Sequence, residues 1–468
     1  MTHRASLLGR GYQDNHLDSP RVRFRRALLL CLMTVIVPGS GHIAVGKRAV
    51  GWFAVTVWLG ALGGGGYLLW KYRTDRAQVL GWFTDTDVLL LARAGIVAVA
   101  VLWLILFLDA WRLASPFRLN FMRAALITVL NLAIIGGVAG STAYASQLIK
   151  VSRDSVKVVF KATKTSEPLK GRYNILLLGS DARADRTGVR PDSMTVASVD
   201  ADTGKVVLVS LPRNLQNVPF SEGSPMRKIY PYGYNCGAEC LLNAVYVTAE
   251  GRPDLFPDSK SPGLDATIDA IQGVTNLKIN YYVMVNLNGF KGLVNAVGGV
   301  TMDVKTRIAM FGHEDAWKNT YSEPGKRKLD GQEALWYARS RVGSDDYDRM
   351  GRQKCLMAAM VNQLNPQTVL LNATKIAKSG KELLSTNIPA KELGQFADLA
   401  LKARGEKIRT VSVVPPAFNT VTPDFPAIQT AIQKAIDKSE STAPSTTKKP
   451  KDTSGRPANQ TDDLNAVC

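Results

Sequence analysis

Three apolar runs near the start of the chain constrain its fold more than any other feature. They are "AVGWFAVTVWLGALGGGGYLLW" (49–70), "VLLLARAGIVAVAVLWLILFL" (88–108) and "AALITVLNLAIIGGVAGSTAYA" (124–145). Each can cross a hydrocarbon core of about 30 Å, which takes ~20 helical residues. None is followed by a convincing cleavage site, so no removable signal peptide is expected. A fourth run, "ALLLCLMTVIVPGSGHIAV" (27–45), is broken by Pro38, Gly39 and Gly41. It lies between two basic stretches, "RVRFRR" (21–26) and "GKR" (46–48). Short basic flanks stay in the cytoplasm. The broken run is therefore expected to dip in and return, or to lie at the interface, bending at its helix breakers. The three full spans then run out, in and out. The loop 109–123 is basic and suits the cytoplasmic side, and everything after 147 becomes extracytoplasmic. Four full spans would instead leave the C-terminal part inside. The expected division is a basic cytoplasmic tail (1–26), a membrane region (27–147), a basic polar stalk (148–171), a folded domain (172–437) and a tail (438–468).

The folded part reads as α/β, with a central mixed sheet flanked by helices. "YNILLLGS" (173–180) is a nearly continuous apolar run ending in Gly-Ser, the pattern of a buried strand feeding a loop. "SMTVASVD" (193–200) and "KVVLVSLP" (205–212) are joined by "ADTG", a hairpin signature. "INYYVMVN" (279–286) predicts a strand, "LNGFKGLVNAVGG" (287–299) a helix closed by glycines, and "VTMDV" another strand. "LDGQEALWYARSR" starts a helix at a capping Asp330, "MGRQKCLMAAMVNQL" repeats apolar residues at helical spacing, and "RTVSVVPP" (409–416) closes the sheet before a last helix. From about 438 the chain is rich in Ser, Thr, Pro and Lys with almost nothing apolar, so that tail is expected to be disordered.

A formal net charge of +19 points to a polyanionic partner: nucleic acid, a membrane surface or phosphorylated glycans. Nucleic acid is disfavoured, because basic residues flank the spans and no aromatic–basic stacking pattern is present. Of five cysteines, Cys31 is in a membrane segment. Cys236, Cys240, Cys355 and Cys468 would face an oxidising compartment, where a structural disulfide is favoured over zinc. Their three complete pairings stay open, as does a free Cys468. No Ser-His-Asp or Cys-His arrangement is visible, and His313 reads as a loop residue.

The chemistry concentrates in two places. "YARSRVGSDDYDRMGRQ" (337–353) packs Arg339, Arg341, Arg349, Arg352, Asp345, Asp346 and Asp348 into one short stretch. A helix starting near Asp346 puts Asp346, Arg349 and Gln353 on one face. Arginine forks match phosphate oxygens bidentately. A salt-bridged surface helix is the competing reading. "LLLGSDARADRTGVRPDS" (176–193) places Asp181 past one strand end, and Arg190 and Asp192 at the start of the next strand. Ligands of open α/β sheets bind outside the strands' carboxyl ends. Two aspartates there are hard ligands of the kind Mg²⁺ (or Mn²⁺) uses, against a turn-capping alternative. Arg213 and Lys228 add positive charge nearby in sequence.

The elements "NILLLGSDAR", "RPDSMTVASVD", "LVSLPRN", "KIYPYGY", "INYYVMVNLNGFKGLVNAVGGVTMDV" and "LDGQEALWYARSRVGSDDYDRMGRQ" resemble, in order and spacing over 172–365, the catalytic domain of the LytR-CpsA-Psr family, here of an actinobacterial type. "PGSGHIAVGKRAVGW" resembles a small two-helix membrane module. The family resemblance implies a membrane-anchored, wall-facing phosphotransferase. Such an enzyme moves a glycopolymer from a polyprenyl diphosphate carrier onto peptidoglycan through a phosphodiester link. Teichoic acid, arabinogalactan and capsule are all compatible polymers. It also implies catalytic roles for Asp181, Asp192, Arg213, Arg339, Arg341, Asp346 and Arg349. Asp181 and Asp192 would hold the metal, and Arg190, Lys228 and Gln353 would contact the diphosphate. Asp346 would orient Arg349 rather than serve as the base; Asp181 qualifies as base only if it is not held tightly by the metal. Asn214, Asn286 and Asn295 stand where many members have aspartate. The competing functions are a lipid-diphosphate hydrolase and a non-enzymatic envelope regulator. A polyprenyl carrier needs an apolar groove, expected to start at Arg339/Arg341. Its expected lining is Phe290, Leu293, Val294, Val297, Leu356, Met360, Val361 and Leu364.

Overall fold

The structure, a computed structural model, describes residues 20–160, 162, 164–180, 190–310, 320–363, 384–441, 457–461 and 463–468. Asp181, His313 and Leu364 lie outside them. The chain divides into two units, Met1–Arg153 and Asp154–Cys468.

The first unit is helical: α1 (Pro20–Ile36), α2 (Ser40–Ala44), α3 (Arg48–Thr74), α4 (Arg76–Trp82), α5 (Thr86–Leu113) and α6 (Phe121–Val159). Three helices, Arg48–Thr74, Thr86–Arg118 and Phe121–Asp154, are long and apolar enough to cross a membrane. Their most apolar windows are only 6%, 11% and 11% buried within the protein. Such outward apolar faces demand hydrocarbon around them. The broken run bends where its sequence requires. α1 stops before Pro38, and Gly39 takes a φ of +94°. A Cβ on Gly39 would sit 2.3 Å from the Gly51 carbonyl oxygen, so only glycine permits this approach of α3. His42, fully buried, lies 3.2 Å from Asp109, which also pairs with Lys47 at 2.8 Å.

Among the described residues, the second unit carries ten strands: β1 (Arg172–Ser180), β2 (Pro191–Asp200), β3 (Val206–Leu211), β4 (Tyr281–Asn286), β5 (Val300–Val304), β6 (Ile308–Met310), β7 (Thr320–Ser322), β8 (Gly325–Leu329), β9 (Leu384–Thr386) and β10 (Arg409–Ser412). Six form the main sheet in the order β10-β3-β2-β1-β4-β9; β5/β8 and β6/β7 are two-stranded satellites. The hairpin read from "ADTG" is β2–β3, antiparallel, with Gly204 at φ +72°. β1 runs parallel to β4, and β10 parallel to β3. The carboxyl ends of β1, β3, β4 and β10 therefore share one edge with the start of β2.

The helices of this unit are α7 (Val245–Glu250), α8 (Pro262–Thr275), α9 (Leu287–Ala296), α10 (Gly331–Arg339), α11 (Asp346–Gln363), α12 (Leu393–Lys402), α13 (Phe425–Glu440), α14 (Pro457–Gln460) and α15 (Leu464–Val467). One sheet face buries Leu176, Leu178, Met194, Val196, Val207 and Val209 against α7, α8 and α13. The other packs Ala197, Val206 and Leu208 against Ala358 of α11 and against Ala458 and Leu464 near the C-terminus. β3 is buried along its whole length, which explains its continuous apolar sequence.

The expectation of a disordered tail from 438 is corrected here. α13 extends to Glu440, and the last twelve residues carry α14 and α15. Leu464 is buried and donates its backbone N–H to the Ile408 carbonyl at 2.9 Å. Asn459 Nδ2 donates to the Tyr347 carbonyl at 2.8 Å. The physical reason is covalent: Cys355 of α11 is disulfide-bonded to Cys468. That bond holds a segment too poor in apolar residues to dock by burial alone. Cys236 pairs with Cys240, and Cys31 is free.

Candidate functional site

The charged stretch 337–353 resolves into parts with different tasks. α10 opens on a capping box: Asp330 accepts from the Gln332 and Glu333 N–H groups, and Glu333 accepts from the Asp330 N–H. It ends at Arg339, whose guanidinium lies 5.6 Å over the Trp336 ring. Asp345 and Asp348 serve the next helix start; Asp345 accepts from the Asp348 N–H at 2.8 Å. Arg352 is buried and fastens the intervening turn, donating to the Tyr337 carbonyl at 3.0 Å, the Ser344 hydroxyl at 3.3 Å and the Ser340 carbonyl. Arg341, Asp346 and Arg349 remain, and these three form the cluster.

Asp346 is its centre. It pairs with Arg349 at 3.0 Å, Arg341 at 3.1 Å and Arg213 at 3.8 Å. Arg213, just past β3, also pairs with Asp192 at 3.0 Å, at the start of β2. Arg349 donates to the Asp192 carbonyl at 3.2 Å. Two strand ends, one turn and one helix start thus converge on three guanidiniums and two carboxylates. Burial pushes the pKa of Arg341 down, and the neighbouring Arg349 and Arg213 add to this against the opposing pull of Asp346. Three guanidiniums thus share two carboxylates at one sheet edge.

Gln353 sits one turn further along α11, accepting from the Ser193 hydroxyl at 3.0 Å and donating to the Ala338 carbonyl at 3.2 Å. A cavity opens beside these groups. Asp192, Ser193, Thr195, Ser210, Arg213, Arg349 and Gln353 line its polar side, and Met194, Leu211, Met350 and Met357 its apolar side. The hydroxyls of Ser193, Thr195 and Ser210 were not singled out from sequence. Their signal was the period-two spacing of Ser193 and Thr195 inside an otherwise apolar strand.

Other residues singled out from sequence are placed differently. Arg190 and Lys228 are exposed, and among the described residues no hydrogen bond or ion pair joins either to the cluster. Val294 and Leu356 are buried in a satellite core with Val300, Leu329, Ala334 and Tyr337; Phe290 and Met360 pack against it. Val361 packs on the core at the other sheet face, and Leu293 and Val297 are half-buried. None of these seven lines the cavity beside the cluster, nor do Arg339 and Arg341. Asn286 caps α9 by accepting from the Gly289 N–H, and Asn295 accepts from the Gly331 N–H at 2.7 Å. Both do by amide oxygen what an aspartate would do by carboxylate. The Asn214 amide oxygen is buried without a hydrogen bond.

These residues build an arginine-lined cleft at the strand ends of a mixed α/β sheet. The chain belongs to the LytR_cpsA_psr family, whose model matches residues 141–439. It is 26% identical over 300 residues to the polyisoprenyl-teichoic acid–peptidoglycan teichoic acid transferase TagV of Bacillus subtilis (strain 168), covering 62% of this chain and 70% of that protein. It is 28% identical over 243 residues to the like-named transferase TagU of Oceanobacillus iheyensis, covering 51% of this chain and 64% of that protein. The cell wall biosynthesis protein LcpA of Corynebacterium glutamicum is 28% identical over 228 residues, 44% of this chain and 42% of that protein. Among solved structures, that of B. subtilis TagV aligns with 57% of this chain and 98% of its own at 24% identity, with a TM-score of 0.41.

Proposed function

We propose that this chain is a membrane-anchored phosphotransferase. It moves a glycopolymer from a polyprenyl diphosphate carrier to peptidoglycan through a phosphodiester link. The observation that carries this reading is the convergence of Arg213, Arg341 and Arg349 on Asp346 and Asp192 at the sheet edge. The similarity to TagV and TagU, both named as teichoic acid transferases, supports it. Phosphoryl transfer is largely positioning plus electrostatic stabilisation. The three guanidiniums, already crowded, gain by exchanging mutual repulsion for the oxygens of a diphosphate. Asp346 sets their directions, and Gln353, held by Ser193 and Ala338, is fixed as a neutral donor–acceptor at the rim. The methionines of the cavity supply an adaptable apolar wall beside the phosphates.

Asp192 would hold Mg²⁺ (or Mn²⁺), with Asp181 as the second ligand. The fit rests on Asp192 itself: Oδ1 serves Arg213, while Oδ2 accepts no hydrogen bond among the described residues, leaving one hard oxygen for a cation. When bound, the ion neutralises phosphate charge.

The test is transfer from a short-chain lipid-diphosphate glycan to peptidoglycan fragments, with free phosphate followed in parallel to score hydrolysis. Arg341→Ala should lose about 100- to 1000-fold in kcat, the usual cost of one preorganised charge-stabilising group. Asp192→Ala should lose a similar factor together with any divalent-ion stimulation. Full turnover by either variant removes the site from consideration.

In this reading the catalytic unit lies outside the cytoplasm. The basic flanks of the spans support this orientation, as do two disulfides, which persist in oxidising compartments. A reporter fused after Cys468 that fluoresces only in the cytoplasm should stay dark. A bright signal would reverse the topology and leave the site on the wrong side of the membrane for peptidoglycan.

A further inference from the structure

Lys354 follows Gln353 on α11 and is fully buried. Its Nζ donates to the hydroxyl of Ser412 on β10. Among the described residues, no carboxylate lies within ion-pair distance of this amine. A charged ammonium is costly to bury unpaired, whereas a neutral amine is not. Burial pushes the Lys354 pKa well below the ordinary lysine value.

Ser412 is not an isolated partner. It is in register with Ser210 of β3, and Ser210 with Thr195 of β2. Register partners present their side chains on the same sheet face. All three residues are buried, and the Thr195 and Ser210 hydroxyls are 3.3 Å apart. Neighbouring strands lie about 4.8 Å apart, a span that one bridging water can close. Thr195 and Ser210 line the cavity beside Asp192 and Arg349. A row of hydroxyls therefore leads from the anion cleft, across three strands, to a buried amine.

Among the described residues, charged groups on the surrounding elements do not pair with this amine. Asp346, Asp348, Arg349 and Arg352 precede it on its own helix; Asp346 and Arg349 pair with each other, Asp348 bonds within the helix start and Arg352 ties the turn before α11. Arg409 of β10 shares the parity of Val411 and points to the opposite sheet face. Asp192 and Asp200 sit at the two ends of β2. β3 carries no charge, and the described C-terminal residues contribute Asp463 and the terminal carboxylate.

We propose that Lys354 is a positioning residue at the far end of a proton relay, taking through Ser412, Ser210 and Thr195 the proton that the acceptor hydroxyl loses. This rests on the transferase reading above. As the acceptor oxygen bonds to phosphorus, its proton enters the row and Lys354 becomes an ammonium. The bond from phosphorus to the bridging oxygen breaks, and the lipid phosphate leaves with the electron pair. The ammonium then returns its proton along the row to that phosphate, and the amine is restored.

The full chain in detergent, with Lys354→Met, Lys354→Arg and Ser210→Ala variants, tests this by melting temperature and by transfer rate across pH 5.5–9.5. The unfolded chain protonates Lys354 up to about pH 10.4 and the folded chain does not. Native stability therefore rises with pH from the lowered folded value towards that limit. Methionine does not titrate, so Lys354→Met should melt above wild type at low pH, with a gain that shrinks as pH rises. Its transfer should fall at least 100-fold at pH 7, and the residual rate should lack the wild-type decline on the acid side. Ser210→Ala should lose at least tenfold with unchanged melting. Lys354→Arg, always charged, should be both destabilised and inactive. Lys354→Met with wild-type turnover or an unchanged pH profile overturns the relay, as does a melting difference independent of pH. A wild-type chain that transfers nothing overturns the transferase reading and the relay with it. The melting series then still decides separately whether the buried amine is neutral.

Discussion

Asp346→Asn should abolish most transfer, with kcat/KM falling about 100- to 1000-fold. Asp346 is the single carboxylate to which Arg213, Arg341 and Arg349 all pair. Asparagine keeps the shape and removes the charge, so three guanidiniums are left to repel one another. Arg349 suffers most, because it is 3% exposed and its Nε is already buried without a hydrogen-bond partner among the described residues. Breaking a buried ion pair from one side costs about 3–5 kcal/mol. The 23% exposure of Asp346 places the expected loss of stability at or below the lower end of that range. Steady-state kinetics on the lipid-diphosphate glycan and a thermal melt read the two effects separately. Inorganic diphosphate added to the melt should restore part of the lost stability by supplying the missing negative charge. Wild-type kinetics in this variant would show that the arginines need no organiser.

Cys468→Ser should release the C-terminal segment and lower the melting temperature by roughly 10 °C. The Cys355–Cys468 bond closes a loop with a sequence separation of 113. In the chain-entropy account a loop of that size contributes roughly 4–5 kcal/mol, and in a domain of this size each kcal/mol moves the midpoint by about 2–4 °C. The segment also packs against α11, where Asn459 holds the Tyr347 carbonyl one residue after Asp346. Limited proteolysis should therefore cut the tail of the variant first, and transfer should fall with it. A tail that stays protected in Cys468→Ser would mean that packing, not the disulfide, secures it.

Local rules made much of this readable beforehand. The β2–β3 hairpin was visible because apolar alternation and a glycine turn act over a few residues. The start of α10 was visible because a capping Asp330 precedes a helical pattern. The charged cluster was legible in outline, since Asp192 and Arg213 sit at strand ends and Asp346 and Arg349 on one helix face. What was hidden depended on partners far away in sequence. Arg349 and Arg352 differ by three positions and look equivalent, yet one faces the cleft and the other ties down a turn. Lys354 carried no signal in the sequence; it is buried where its amine meets Ser412 of β10. The last residues read as a disordered tail because composition does not disclose a disulfide to α11. Val294 and Leu356 satisfied the pattern of a groove and are instead core, a distinction that periodicity does not carry.

Arg172, at the first residue of β1, is buried and clamped. It donates to the Ser198 hydroxyl and carbonyl at 2.9 Å each and lies 3.4 Å from Glu440 at the end of α13. The chain reaches this point from the membrane segments by way of Ser166 and Glu167, which Tyr281 and Asn280 already hold by hydrogen bonds. A pull on the tether would meet those bonds before β1. β1 is an interior strand, hydrogen-bonded to β2 on one side and β4 on the other. A pull along its axis would load both ladders in shear, many bonds at once, instead of peeling them apart one by one.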